Sequence, residues 1–99
     1  MPIEFHARYD GPGSLVLTFP TAQRFDIEIE SAQGETAWRW SEGQMFAQLV
    51  GQVELTPDRR ELRYTVTMDG GLPPGSYRVR AWLTAPHGPP PVTRDIVVR

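Results

Sequence analysis

The stretch Gln23 to Phe46, QRFDIEIESAQGETAWRWSEGQMF, decides the reading of this chain. Phe25, Ile27 and Ile29 alternate with Asp26, Glu28 and Glu30, and after a turn containing Gly34 the same period of two returns with Trp38 and Trp40 around Arg39. This pattern is a β-hairpin with one wet face and one buried face. Closing it around Gln33-Gly34 sets Ile29 across from Trp38, Ile27 across from Trp40 and Glu28 against Arg39; closing it one residue earlier pairs Ile27 with Trp38 and Asp26 with Arg39. Either register keeps the faces in phase, and two tryptophans are a large share of a small core.

Working outward, the same alternation recurs. Ile3, Phe5, Ala7 and Tyr9 mark a first strand, broken by Asp10-Gly11-Pro12-Gly13, and Leu15, Leu17 and Phe19 a second, stopped by Pro20, which has no N–H to donate. After Trp40 the period changes. Ser41 and Gln44 have capping-box spacing, and Met45, Phe46, Leu49 and Val50 would share one face of a helix; the segment is a short helix or a compact loop. Gln52 to Thr56 reads as a brief strand ended by Pro57, Leu62 to Met68 as the next, Tyr77 to Leu83 as another after a Gly/Pro loop from Asp69 to Ser76, and Val92 to Val98 as the last. Tyr77, just past Gly75 where a strand begins, has the placement of a tyrosine corner. Short strands separated by frequent turn signals predict an all-β, immunoglobulin-like antiparallel sandwich of about seven or eight strands.

With 99 residues the chain makes one domain, expected over 1–99. It has no cysteine, which favours a reducing, cytoplasmic setting, and no apolar run long enough for a membrane span. The start Met1-Pro2-Ile3-Glu4 has none of the features of a secretory leader. A net charge of −2 gives no basic footprint for nucleic acid. All ten basic residues are arginine.

Chemistry of other kinds finds little support. His6 lies in a strand and His87 in a Pro/Gly loop, neither in a catalytic pattern, and two histidines without cysteine do not make a transition-metal site. Asp26, Glu28 and Glu30 could offer oxygen ligands, but with Arg39 on the adjacent strand a solvated charge ladder accounts for them. Gly11-Pro12-Gly13 and Gly70-Gly71 lack the residues that complete a phosphate loop. The expectation is a protein that is not an enzyme and needs no cofactor. Trp82 is out of phase with Val79, Ala81 and Leu83 and shares the outer face with Arg78 and Arg80, the composition of a binding hot spot.

Gln23-Arg24-Phe25-Asp26, then Trp38-Arg39-Trp40-Ser41, Met45-Phe46 and Pro74-Gly75-Ser76-Tyr77, resemble the intracellular proteinase inhibitor family of the BsuPI type, in order and over roughly Leu15 to Leu83. The resemblance implies a small cytoplasmic immunoglobulin-like domain that inhibits an intracellular subtilisin-like serine protease. An inhibitor of that kind presents a loop already held in extended form, so that binding costs little ordering entropy. Ser41 to Val50, tethered by Trp40 and Phe46, is the candidate. Glu42, Gly43, Gln44 and Met45 would form its accessible tip, and Trp82 would add contact area on the outer face. The alternative is a non-inhibitory interaction module that binds a partner by that face or by exposed edge strands. Simple alternation of strand direction would place Ser41 to Val50 at one end with Pro20 to Gln23 and Asp69 to Ser76, and Pro86 to Pro91 at the other.

Overall fold

The computed structural model describes residues 1–68 and 70–99. It is all-β, with eight strands: β1 Pro2–Arg8, β2 Leu15–Phe19, β3 Phe25–Ser31, β4 Thr36–Arg39, β5 Gly51–Leu55, β6 Glu61–Thr67, β7 Gly75–Leu83 and β8 Val92–Val98. Every ladder is antiparallel. One sheet has the order β4-β3-β7-β8, while β1 pairs with β6 and β2 with β5 in two separate ladders.

The inward residues of the four-stranded sheet meet those of the two ladders. Phe25, Ile27, Ala81 and Leu83 pack against Phe5, Leu17, Phe19, Leu55 and Val66 in the main core. A second cluster joins Ile29, Met68 and Tyr77. Period-two alternation produces this directly, because successive side chains on a strand point to opposite faces. Ile27 and Ile29 are fully buried. A Cβ on Gly51, at the start of β5, would meet the guanidinium of Arg24, so a larger residue there would push that side chain off the Phe19 ring it lies over.

The β3–β4 hairpin closes in the first of the two registers that keep its faces in phase. Glu28 faces Arg39 and Ile29 faces Trp38, with a bulge before Glu30 meets Thr36. The turn explains the bulge: Gly34 N donates to Ser31 O, Ser31 N donates to Glu35 O, and Gly34 has φ of 84°. A three-residue loop ending in a left-handed glycine is a common hairpin closure, and a non-glycine residue would be strained there. Trp38 and Trp40 are only partly buried and pack against the rim of the core.

Tyr77 is a tyrosine corner. It is 9% exposed, and its hydroxyl donates to Pro73 O at 2.6 Å, tying the loop ahead of β7 to the strand it feeds. Asp69, the expected start of that loop, lies outside the described residues.

The arrangement of loops differs from simple alternation. Alternation makes β3 and β7 parallel, yet they are antiparallel neighbours, with Phe25 opposite Leu83 and Ser31 opposite Tyr77. One connection between them therefore fails to reverse the chain. As a result Thr84 to Pro91 leaves the sheet beside the start of β3, where Thr84 N donates to Arg24 O at 3.1 Å and Thr84 Oγ1 to Gln23 O at 2.6 Å. Ala22 N donates to Ala47 O at 2.9 Å, so Ser41 to Val50 belongs to this same end. The loop before β7 lies instead beside the 31–35 turn.

Candidate functional site

Among the described residues the chain forms no helix, and Ser41 to Val50 is a loop. It opens with a tight turn in which Glu42 N donates to Arg39 O at 3.2 Å and Gln44 N to Ser41 O at 3.1 Å. Gly43 takes a left-handed φ of 79° at its corner. The capping box suggested by Ser41 and Gln44 does not form; the Gln44 side-chain amide donates to Trp40 O instead. A short helix needs a packed apolar face, and this segment has none: Met45, Leu49 and Val50 stay exposed, and the Ala47 carbonyl accepts from Ala22 across the loop.

The loop is held at defined points. Phe25, buried in β3, stacks on Trp40 with centroids 4.2 Å apart, and Trp40 meets Phe46 at 5.7 Å in a tilted pair. The column continues from Phe25 to Tyr64, partly buried on β6, at 4.4 Å. Aromatic pairs of this kind contribute about 0.5 to 1.5 kcal/mol beyond area burial. Between the tethers at Trp40 and Phe46, Glu42, Gly43, Gln44 and Met45 form a contiguous exposed tip, with Met45 98% exposed. An apolar side chain so fully presented on a pinned loop has no role in this protein's own packing.

The root of the loop is built on a buried carboxylate. Asp26 is 1% exposed. Its Oδ2 accepts from Ser41 Oγ at 2.6 Å and from Arg39 Nε at 2.9 Å, and its Oδ1 accepts from Ile27 N at 2.9 Å and Ser41 N at 3.2 Å. A carboxylate has about four acceptor positions, so this one is saturated. Burial alone would raise its pKa; the hydrogen bonds from Ser41, Arg39 and the Ile27 N–H, with the charge of Arg39, outweigh burial and hold it below its ordinary value.

The solvated charge ladder expected of Asp26, Glu28 and Glu30 is therefore corrected at Asp26. Strand alternation alone puts Asp26 on the outer face, but residues of neighbouring strands close over it. Trp82 is its register partner on β7, and Arg39 reaches it from β4. Glu28 is also shielded, with a side chain 13% exposed and 3.9 Å from both Arg39 and Arg80.

Trp82 sits on the outer face as its phase requires, half-buried because the guanidinium carbons of Arg39 and Arg80 lie 5.5 and 5.3 Å from its ring. It is joined to the loop through Arg39, Asp26 and Ser41. The tip residues and Trp82 thus belong to one end of the molecule. Sequence reasoning missed Asp26 and Ser41 as the loop's anchor. A signal was present, since the register that pairs Ile27 with Trp40 also sets Asp26 opposite Ser41.

Beside the loop, Val16, Thr18, Pro20, Val50, Pro86 and His87 line an open groove between β2 and the proline-rich segment. Among the described residues no three His, Cys, Asp or Glu side chains gather as a metal site would require.

No curated protein matches this chain. The family model described as BsuPI, intracellular proteinase inhibitor, matches residues 2–88, which takes in the hairpin, the Ser41 to Val50 loop and the tyrosine corner. The chain belongs to the BsuPI family of intracellular proteinase inhibitors.

Proposed function

We propose that this chain, acting as a single β-sandwich domain in the cytoplasm, inhibits a subtilisin-like serine protease by inserting the Ser41 to Val50 loop into its cleft. The family is one of proteinase inhibitors, and the protein acts by binding rather than as an enzyme. The observation that carries the reading is Met45: it is 98% exposed at the tip of a loop pinned by Ser41 on one side and Phe46 on the other.

A loop held in one conformation loses little entropy on docking, which is how a short segment binds tightly. Met45 supplies the apolar side chain for the protease's cleft. Glu42, Gly43 and Gln44 make the backbone contacts around it, and Trp82 with its arginines extends the contact area over the outer face of the sheet.

The test is a titration of purified protein against a subtilisin-like serine protease, with a cysteine protease and a metalloprotease as comparisons. Saturable inhibition of the serine protease alone is the expected outcome. Inhibition of only one of the comparison enzymes would assign the protein to a different protease class, and inhibition of none would defeat the reading.

A further inference from the structure

The Asp26 carboxylate accepts four hydrogen bonds, yet it is not part of the hydrophobic core. It lies on the outer face of β3, and its strongest contacts go to Arg39 and Ser41, the residues at which β4 ends and the exposed loop begins. Ser41 alone gives it a hydroxyl and a backbone N–H. We propose that Asp26 is the positioning residue of the Ser41 to Val50 loop, a latch that keeps the loop resistant to cleavage, so that its loss turns an inhibitor into a substrate. The proposal rests on the reading of this loop as the inhibitory segment.

The physical reasoning concerns two ends of one loop. A protease cuts a segment that can open and realign in its cleft; a segment whose ends are fixed returns to its closed form, and a cut loop whose flanks stay in place can be rejoined or retained. At the far end Phe46 is held by Trp40, and Ala47 by the backbone bond from Ala22. At the near end, among the described residues, the side chain that hydrogen-bonds Ser41 is that of Asp26. The loop tip itself has few other restraints: its turn rests on Gly43, two backbone bonds of 3.1 and 3.2 Å and the bond from the exposed Gln44 side-chain amide to Trp40 O. Without the latch the tip would swing on Trp40.

Charged hydrogen bonds of this kind shift an opening equilibrium by roughly ten- to a hundredfold each. The carboxylate is 1% exposed, and exclusion of water strengthens those bonds.

The experiment measures cleavage within Ser41 to Val50 by mass spectrometry, using the full chain and a catalytic amount of a broad-specificity subtilisin-type protease. It compares wild type with Ser41→Ala, Ser41→Thr and Asp26→Asn, each shown by circular dichroism to be folded at the working temperature. Ser41→Ala is the milder variant, because it leaves the carboxylate paired with Arg39. The wild-type loop and Ser41→Thr, which keeps the hydroxyl, should resist. Ser41→Ala and Asp26→Asn should be cut within the loop at least roughly tenfold faster, with the rest of the chain intact. Variants that resist as wild type does, cuts spread over the whole chain, or a wild-type loop cut as fast as the variants' would each overturn the latch. Because cleavage is read directly, a wild type that fails to inhibit in the titration contradicts the inhibitory reading, while the latch stands or falls on the cleavage rates.

Discussion

Phe25 and Trp40 stack with their ring centroids 4.2 Å apart, one ring buried in β3 and the other at the root of the exposed loop. Through that contact the packing of the sandwich sets the position of the loop, and Trp40 passes it on to Phe46.

The tether is testable apart from the fold. Phe46 is partly exposed and touches Trp40 at the rim, so Phe46→Ala should lower stability by only about 1 kcal/mol. It should weaken inhibition by roughly tenfold or more, because the far end of the loop is freed and binding must then order it. Thermal melts and an inhibition titration on the same preparation check both halves. Unchanged inhibition would remove Phe46 from the account.

The tyrosine corner gives a stability prediction with no functional counterpart. Tyr77→Phe removes the 2.6 Å hydrogen bond to Pro73 O and leaves the ring in place. The cost should be about 0.5 to 2 kcal/mol in denaturant unfolding, with inhibition as in wild type, since this corner lies at the 31–35 end of the sheet. A variant as stable as wild type would mean that the hydroxyl is equally well satisfied by water.

Asp26 predicts how stability depends on pH. Its carboxyl titrates lower in the folded protein than its ordinary value of 3.8, so the unfolded chain takes up the proton first as acid is added. The stability it contributes is complete above that ordinary value and is lost as pH falls through the lower folded value. Wild type should therefore exceed Asp26→Asn in stability by a constant margin near neutral pH, and the margin should shrink on acidification below about pH 4. Urea unfolding at a series of pH values measures it. A margin that does not change with pH would show that folding leaves the Asp26 pKa where it is in the unfolded chain, and one that grows on acidification would show that the carboxyl is protonated in the fold.

Trp82 separates a contact limited to the loop from one that includes the outer face. Trp82→Ala removes the ring that Arg39 and Arg80 cover, at little cost to the inner core. If the sheet face touches the protease, inhibition should weaken by at least roughly tenfold, as truncation of an aromatic hot spot does. Inhibition equal to wild type in a folded variant would confine the contact to Glu42 to Met45.

Much of the fold was legible because period-two alternation is a local signal. The bounds of β8, the stop of β2 at Pro20 and the pairing of Glu28 with Arg39 all follow from neighbouring residues and turn chemistry. The tyrosine corner was legible for the same reason. What escaped depends on distant partners. Asp26 has the phase of a wet residue, but it is buried and bonded by Arg39 of β4 and by Ser41, with Trp82 of β7 its register partner. Met45, Phe46, Leu49 and Val50 have helical spacing, but spacing does not say whether anything packs on that face, and only Phe46 finds a partner. Strand direction counted along the chain puts the proline-rich segment at the wrong end, because the antiparallel pairing of β3 with β7 decides it.

The central claim, that the exposed tip of Ser41 to Val50 is what the protease binds, is tested most directly by Met45→Asp. Met45 is 98% exposed, so a charge there leaves the fold and its stability unchanged. In an apolar cleft the same charge loses its hydration without a partner. The measurement is the inhibition constant of wild type and Met45→Asp against a subtilisin-like serine protease, with a deletion of Pro89 to Pro91 as the comparison at the same end of the molecule. The account predicts that Met45→Asp melts like wild type and inhibits roughly a hundredfold more weakly, while the deletion inhibits normally. Normal inhibition by Met45→Asp, together with loss of inhibition in a folded Pro89 to Pro91 deletion, would contradict it and move the contact to the proline-rich segment.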